Sequence, residues 1–571
     1  MSSIGLAWIG AFELLVDAIG SAFPEVPERA LAIRPTPDPK LGDFGINVMP
    51  ISSVMSWNKV ETADKLTQAI EKRPFIDRVQ KQGNFVNVWL DRTQYAASLC
   101  ASIRVDDQFG SNRAGVGQKV LLEHTSINPN ASPHVGRGRN ALIGDTLARL
   151  LRYEGFDTEV HYYVNDLGKQ IALLVMVWRD RRDISFDDML ALYVSANERA
   201  KADPDFEQAA FDLLRRFEEH DPVVVEDFLE CTTKCLEGQL SVLSRLGITY
   251  DYFDRESNFV HDLQLNTVIE KLRERDAVFT DEHNREVVDL MRLGYEREDG
   301  RYFVLRRANT STMYGYRDLA YTLYKLRRCP TGNIIVLGQD HSLYFQQLGL
   351  MLGVIGVAPP EIVTYSHILL KEGRMSTREG NVVLLSSLLD EAASRSLERV
   401  EASCTELSRE EQREIARKIG VGAIKFSILR VAPQSNVIFE WDAALRFEGD
   451  SAPYIQYSCT RIASILRKAP ANWEEIGEQP FTVGAEEWAL VLKLGQLPSV
   501  VRTSLARRNP SPLAMYALEV AKSFSAFYHA CPVLREDDGG QRNFRLNLCF
   551  CTLRVLTSTF GLLGIEIPDR M

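Results

Sequence analysis

The chain has 571 residues, 45% of them apolar and 25% charged, with a formal net charge of -11. That length suits about three to five domains with cores of their own, and the composition argues against a disordered, collagen-like or membrane-embedded protein. The acidic balance argues against coating nucleic acid by charge alone, but it leaves room for a local basic face, because contact follows the local field and not the sum.

The first stretch, Ile4 to Phe23, is apolar-rich but carries Glu13 and Asp17, and no cation precedes Arg29. It reads as a buried amphipathic helix rather than a signal peptide or anchor. No membrane-spanning run follows, so a cytoplasmic protein is expected. A Pro-rich turn at Pro35–Lys40, the string L-G-D-F-G-I-N-V-M (Leu41–Met49), a further helical stretch and the alternating F-V-N-V-W-L of Phe85–Leu90 make a small α/β module over residues 1–110. Gly110, Ser111 and Asn112 mark a linker.

The clearest pattern comes next. Val120–Leu122 is an apolar run. A polar turn with two Asn, two Pro and a His-x-Gly follows, then a helical pattern with Ile143, Leu147, Leu150 and Leu151 on one face. Gly155 stops that helix, and Val160–Val164 gives a second strand. Strand, loop, helix, strand is the nucleotide-binding half of a doubly wound sheet, with the loop where ligands bind. There Gly136 offers backbone that a nucleotide can approach, His134 offers a donor, and the helix beginning near Gly138 adds its dipole and free N–H groups.

Residues 179–245 are helical in pattern, charged and nearly free of glycine, which suggests an insertion between two halves of the sheet. Residues 248–258 return to strand-like alternation and end in an acidic turn. The second half is expected over 300–370. It has a short strand at Tyr302–Leu305, an apolar one at Ile334–Leu337, a helix opened by Gly338-Gln339-Asp340-His341, and a strand at Ile362–Leu370. Gly373–Asn381 follows, a glycine-flanked loop with two guanidinium groups and two hydroxyls. It is suited to closing over a triphosphate and stabilising departing pyrophosphate. Residues 383–445 are helical with one apolar interruption. From about Gly449 the chain is helical to the end, in stretches such as Gln456–Lys468, Pro512–His529 and Phe544–Leu562. Nine scattered cysteines without a C-x-x-C pair read as buried thiols of a reducing compartment rather than a zinc site.

These strings carry a resemblance. H-V-G-R at 134–137 and R-M-S-T-R at 374–378 resemble the HIGH and KMSKS motifs of class I aminoacyl-tRNA synthetases, in matching order and separation. Within that class the chain resembles the arginyl-tRNA synthetases. The matching strings are E-H-T-S-I-N-P-N (123–130), G-R-G-R-N-A-L-I-G-D (136–145), Y-Y-V-N-D-L-G-K-Q (162–170), Y-G-Y-R-D-L-A-Y (314–321), R-M-S-T-R-E-G-N-V-V (374–383) and L-G-I-E-I-P-D-R-M (563–571). G-D-F-G-I-N near the start and A-P-Y-I-Q-Y at 452–457 are similar to the family's N-terminal and anticodon-binding domains.

The resemblance implies an α/β fold of the class I Rossmann type: a doubly wound parallel sheet with a helical insertion, a small N-terminal α/β module and an all-helical C-terminal domain. The implied division is 1–110, 111–370 with the insertion at about 179–245, 371–445 and 446–571. It implies an arginine–tRNA ligase that activates arginine with ATP and transfers it to tRNA(Arg), in a step that itself needs tRNA. Magnesium would accompany the ATP, with no metal held by the protein, no membrane partner and a monomeric enzyme.

By the same resemblance, Glu123 and Asn128 hold the α-ammonium side of arginine. Tyr314 and Asp318, four apart on one helix face, meet the guanidinium together with Glu256. Gly338, Gln339, Asp340 and His341 take the ribose, adenine and neighbouring arginine contacts. Gln339 is placed on the arginine side, and the division among the last three is left open. His134, Arg137, Arg374, Ser376 and Arg378 serve the reacting phosphates, and His134, Gly136, Asn140 and Met375 the nucleotide. Carboxylates around a guanidinium form charge-assisted forked bonds that a lysine does not reproduce, and the wrong amino acid would leave buried polar groups unpaired.

Two departures stand out. Arg137 replaces the usual second His, and Arg374 and Thr377 replace the usual lysines. Both arginines keep a donor and a permanent charge, and Arg378 is a candidate second cation. The departures motivate a rival reading, a catalytically weakened paralogue that binds tRNA or regulates. Retention of Glu123, Asn128, Tyr314 and Asp318 argues against it. A cysteinyl enzyme lacks support from any Cys/His zinc set, and the insertion is too short for an editing domain. Tyr454, Tyr457, Phe524, Phe527 and Tyr528 are candidates to stack on unpaired anticodon bases. Arg301, Arg306, Arg307, Arg317, Lys325, Arg327 and Arg328 make either a tRNA-facing basic cluster or a solvated face.

Overall fold

The structure is a computed structural model that describes residues 10–259, 265–306, 314–370, 383–471, 473 and 480–571. Its centre is a five-stranded sheet, parallel throughout. The spatial order is Glu361–Tyr365, Asn333–Gly338, Lys119–Glu123, Asp157–Val164 and Tyr252–Arg255. In chain order this is the 3-2-1-4-5 arrangement of a doubly wound sheet. Val120, Leu121, Leu122, Ile334, Ile335 and Val336 are all buried, as strands covered on both faces require. The strand order reverses between Lys119–Glu123 and Asn333–Gly338, and the crevice for a ligand opens there.

The helix after the first strand runs Val135–Tyr153. It starts three residues earlier than the pattern suggests, because His134, in an extended conformation, is its N-cap. Gly155 takes a φ of +86°, the left-handed conformation that ends a helix. Gly144 lets this helix lie on the sheet: a Cβ there would stand 2.1 Å from the His124 Cγ.

Three expectations change. The helical insertion begins at Lys169–Trp178, whose Leu173, Val175 and Trp178 pack with Met189, Phe206 and Phe228 in a separate core. A second insertion was not foreseen. Helix Leu265–Glu274 precedes a three-stranded antiparallel sheet of Tyr302–Arg306, Glu286–Asp289 and Val278–Thr280. Tyr302–Leu305 belongs to this sheet and not to the parallel one, since an alternating run states a strand but not its partner. Ile362–Leu370 is two strands. Glu361–Tyr365 completes the central sheet, while Ile368–Leu370 pairs with Val437–Phe439. The break falls at Ser366, whose hydroxyl donates to the Gln434 carbonyl at 2.7 Å.

Before the central sheet lies a four-stranded antiparallel one, in the order Ala32–Pro35, Phe44–Asn47, Phe85–Leu90 and Ile76–Gln82. After it come helices Ala452–Arg467, Ala485–Leu494, Leu497–Ala506, Ser511–Ala530 and Gly539–Leu562. The two ends of the chain meet: Trp488 Nε1 donates to Asp43 Oδ1 at 2.8 Å, and Arg104 donates to Asn547 Oδ1 at 2.6 Å. All nine cysteines are buried free thiols. Among the described residues no helix is long and apolar enough to cross a membrane.

Candidate active site

A cavity of about 250 Å³ opens where the strand order reverses, walled on one side by the helix Tyr314–Arg328. Glu123, Asn128, Arg137, Asn140, Asp318, Gly338 and His341 all line it. Residues about two hundred positions apart in the chain therefore meet at one place, because the parallel strands bring their carboxyl ends to the same edge.

Glu123 is buried, forms an ion pair with Lys325, and accepts from Ser126 Oγ at 3.3 Å. Asp318 is buried and accepts from Tyr344 Oη at 2.9 Å. Asn128 donates to Gln170 Oε1 at 3.3 Å. Asn140 has a holding task. Its amide nitrogen donates to the Val336 carbonyl at 2.9 Å, and its oxygen accepts from the Thr125 N–H at 2.7 Å. This one side chain ties the two strands on either side of the reversal.

Glu256 is off the wall. It is fully buried in an ion pair with Arg317, and the Asn165 amide, which does line the cavity, turns toward it. Burial pushes the Glu256 carboxyl up, and the Arg317 guanidinium pulls it back toward the charged form. Gln339 and Asp340 are exposed and lie outside the cavity lining, and Gln339 Oε1 lies 3.0 Å from Ser366 Oγ. Tyr314 begins the wall helix, but its side chain lies outside the described residues, as do Arg374, Met375, Ser376 and Arg378.

The flank of that undescribed stretch is stitched to the His-x-Gly turn. Val135 N–H donates to the Val383 carbonyl at 3.1 Å, Leu385 N–H donates to the Pro133 carbonyl at 2.8 Å, and His134 bridges Leu384. The chain leaving the R-M-S-T-R loop thus passes directly against the H-V-G-R turn. Arg139 contributes to the same junction. Its buried guanidinium donates to the carbonyls of Ser366 at 2.7 Å, His367 at 3.2 Å and Ala432 at 2.9 Å. Burial lowers its pKa to about 10.

Burial, then the charge of Arg137, lowers His134 to about 4, and the same two causes lower His341. Both imidazoles are neutral donors at pH 7, so the permanent charge on this wall is that of Arg137. Gly136 clears space for the imidazole: a Cβ there would stand 3.0 Å from His134 Cε1.

His124 is lowered further, to about 3, by burial and then by Arg152. The folded chain therefore resists protonation that the unfolded chain accepts. The contribution of His124 is complete above its ordinary value of 6.5 and is lost as pH falls toward the folded value of about 3. The loss is on the order of a few kcal/mol. Chemical unfolding at pH 7 and again at a pH of about 5 should show a smaller pH-dependent loss in His124→Gln than in the unaltered chain. Equal losses would overturn this assignment.

The basic cluster is not one open face. Arg301 binds Asp289 at 2.7 and 2.9 Å, Arg306 faces Glu286 at 3.5 Å, and Arg328 binds Glu159 at 2.6 and 3.0 Å. Arg317 and Lys325 are buried with Glu256 and Glu123. Arg307 lies outside the described residues. In the helical region Phe524 and Phe527 are core residues, and the half-buried Tyr454 donates to the Ala521 carbonyl at 3.5 Å. Tyr457 and Tyr528 are each 37% exposed. The Arg461 guanidinium lies 4.7 Å from one ring and 5.4 Å from the other.

Sequence reasoning missed Tyr321, Lys325 and Asn165 on the cavity wall. The first two follow Asp318 at three and seven residues, on the same helix face, and that spacing was the available signal. Among the described residues no group of three or more His, Cys, Asp or Glu could hold a metal.

The chain matches three family models: the arginyl tRNA synthetase N terminal domain over residues 12–90, the class I (R) tRNA synthetase catalytic domain over 100–441, and the DALR anticodon binding domain over 455–571. It is 38% identical over 533 residues to the arginine–tRNA ligase of Methanocella arvoryzae, covering 91% of this chain and 92% of that one. It is 36% identical to the arginine–tRNA ligase of Methanopyrus kandleri, covering 97% of this chain and 96% of that one. Among solved structures, the arginyl-tRNA synthetase of Thermus thermophilus superposes with a TM-score of 0.80 at 26% identity, over 97% of this chain and 99% of that one. Three domain matches in order, together with relatives matched over nearly their full length, lead to one conclusion: the chain belongs to the arginyl-tRNA synthetase family of class I.

Proposed function

We infer that the chain is an arginine–tRNA ligase. It joins arginine to AMP at the expense of ATP, releases pyrophosphate, and passes the arginyl group to the 3′ end of tRNA(Arg). The observation that carries this reading is the cavity at the strand reversal, with buried Asp318 on one wall and Arg137, from the H-V-G-R turn, on another, while His134 and Gly136 lie just outside the lining. A guanidinium beside Asp318 would leave the amino acid's carboxylate free to face ATP held at His134 and Arg137.

The steps follow from binding and electrostatics. A carboxylate oxygen of arginine attacks the α-phosphorus in line, and the bond to the bridging oxygen of pyrophosphate breaks. A ribose hydroxyl of the terminal tRNA nucleotide then attacks the arginyl carbonyl, and AMP leaves. Charge builds on the phosphate oxygens during the first step, so donors fixed beforehand lower the barrier. Arg137, the neutral His134 and the positive end of helix Val135–Tyr153 are those donors. Arg374, Ser376 and Arg378 would complete the set from the signature loop, with Met375 beside the nucleotide. Magnesium would enter with ATP as part of the substrate. Asn140 would serve the nucleotide by tying together the segments on either side of the reversal, and Glu256 would serve arginine through Asn165 and Arg317. Asp340 and His341 would meet ribose and adenine at the end of Asn333–Gly338, with Gln339 toward arginine. The division of labour would follow boundaries near 110, 370 and 445, in a cytoplasmic monomer.

ATP–pyrophosphate exchange across the twenty amino acids, with and without tRNA, tests the reading. Exchange with arginine alone, and only when tRNA is present, is expected. Exchange with another amino acid would overturn it, and tight tRNA binding without aminoacylation would favour the weakened paralogue.

The exposed Tyr457–Arg461–Tyr528 cluster fits unstacked bases of the anticodon loop, because each aromatic or guanidinium plane can stack on a base. Stacking is worth about 1–3 kcal/mol per base. Arg461→Ala should therefore raise the KM for tRNA about tenfold, while the KM values for ATP and arginine stay put. A proportional rise in all three would point to a folding defect instead.

A further inference from the structure

The helix Tyr314–Arg328, which carries Asp318, is seated on the sheet by three polar contacts in succession. Tyr321 Oη donates to Asp254 Oδ2 at 2.9 Å, Lys325 pairs with Glu123, and Arg328 binds Glu159 through Nε at 2.6 Å. The spacings of four and three residues put these side chains on one helix face. The acids come one each from the strands Tyr252–Arg255, Lys119–Glu123 and Asp157–Val164. Three neighbouring strands thus hold three levels of the helix.

Two of these acids are joined by a buried side chain to which neither the family motifs nor the cavity lining assigns a role. His161 Nδ1 lies 2.6 Å from Asp254 Oδ2, and its Nε2 lies 3.5 Å from Glu159 Oε2. The ring is wholly buried. Tyr252 stacks on it with centroids 4.7 Å apart and planes 19° apart, and the Arg328 guanidinium lies 4.2 Å from the Tyr252 ring. Lys119 Nζ reaches Glu159 at 2.9 Å from the other side. His161 therefore sits in a closed frame, with Asp254 as its short contact.

Asp254 in turn holds Tyr321 by its hydroxyl. Tyr321 lines the cavity and stacks on Tyr163, another lining residue, at 4.3 Å and 16°. Lys325 Nζ lies 4.4 Å from the Tyr321 ring. A shift of Asp254 would reach Tyr321 through a hydrogen bond and Asp318 through less than one turn of helix. ATP's expected contacts lie on other elements, the H-V-G-R turn and the end of Asn333–Gly338.

We propose that His161 is a positioning residue for arginine recognition: it fixes Asp254, which fixes Tyr321, which sets the helix that presents Asp318 to the cavity. This rests on the reading of the cavity as the arginine site. The role is selective, because the frame holds one wall of the cavity and not the wall assigned to the phosphates.

The test is steady-state exchange with tRNA present, varying arginine and ATP separately, in His161→Phe, His161→Asn, Tyr321→Phe and Asp318→Asn. His161→Phe fills the space without a donor. His161→Asn places an amide nitrogen close to where Nδ1 stood, so it can still donate to Asp254. The Phe variant should raise the KM for arginine about tenfold, on the order of one hydrogen bond to a charged group, with the KM for ATP within about twofold. The Asn variant should restore most of that loss. Tyr321→Phe removes only the hydroxyl at the other end of Asp254 and should give the same split, which keeps the test open if His161→Phe does not fold. An unchanged arginine KM in Tyr321→Phe and His161→Phe, or a parallel rise for arginine and ATP, would overturn the proposal. Asp318→Asn separates the two levels. If it leaves the arginine KM unaltered, the arginine-site reading fails; if it raises that KM while the His161 and Tyr321 variants do not, only the proposal for His161 fails.

Discussion

Asp318→Asn is expected to lower kcat/KM for arginine by about 10²- to 10³-fold, the range that follows from removing one partner of a buried charge pair. Asparagine keeps the shape of the side chain and an acceptor oxygen, so Tyr344, which donates to Asp318 at 2.9 Å, keeps its partner. What is lost is the negative charge and the two-pronged acceptance of a guanidinium. Because Glu123 is paired with Lys325, and Glu256 with Arg317, two of the three carboxylates assigned to arginine already face cations of the chain itself. Asp318 lines the cavity, which Glu256 does not, and Glu123 is assigned to the α-ammonium side, so Asp318 is the carboxylate placed to meet the guanidinium. The loss should appear chiefly in the KM for arginine, with the KM for ATP unchanged. Citrulline, which has the outline of arginine but no charge, provides a second readout: its disadvantage relative to arginine should shrink in the variant. A variant that keeps the full preference for arginine would remove Asp318 from the recognition of the side chain.

Much of this site was legible because it depends on local order. The stretch from Glu123 to Tyr163 states a strand, a turn, a helix and a strand within about forty residues, and each is present, with the ligand crevice at the end of the first strand. The spacing of four between Tyr314 and Asp318 likewise places both on the wall helix. What the sequence does not state is which partners a charged residue finds across the sheet. Lys325 and Arg317 looked like members of a basic surface, yet each is buried against an acid from a strand or turn distant in sequence. Glu256 looked like a ligand and is instead packed behind Asn165. The antiparallel sheet at 278–306 was invisible for a related reason. Its strands are three to five residues long and have no fixed partner until the chain is folded. Asn140 shows the same limit on a smaller scale. Its position beside the H-V-G-R turn suggested a nucleotide contact, whereas both ends of its amide are taken by backbone groups of neighbouring segments.

Arg137→Ala should slow arginine activation by about 10²- to 10³-fold, the loss seen when one preorganised donor to a developing oxyanion is removed. Among the described residues, the permanent cations that line the cavity are Arg137 and Lys325, and Lys325 is engaged by Glu123. No hydrogen bond or ion pair with another described residue holds the Arg137 guanidinium, so its charge is available to a phosphate. The two imidazoles nearby do not replace it. His134 is held at about 4, and His341 is also lowered, each by burial and then by Arg137 itself. Removing Arg137 relieves only the smaller part of that depression; burial, the larger cause, still keeps both imidazoles neutral as pH falls from 7 to 6.5, so the alanine variant should not recover over that range. Arg137→His, which restores the residue usual in the family, supplies a donor without a permanent charge. It should lie between the alanine variant and the unaltered chain at pH 7 and should approach the latter as pH falls. Single-turnover activation measured across that range separates the possibilities. If Arg137→Ala activates arginine at the full rate, the phosphate charge is met by the signature loop alone, and the departure at position 137 carries no part of the chemistry.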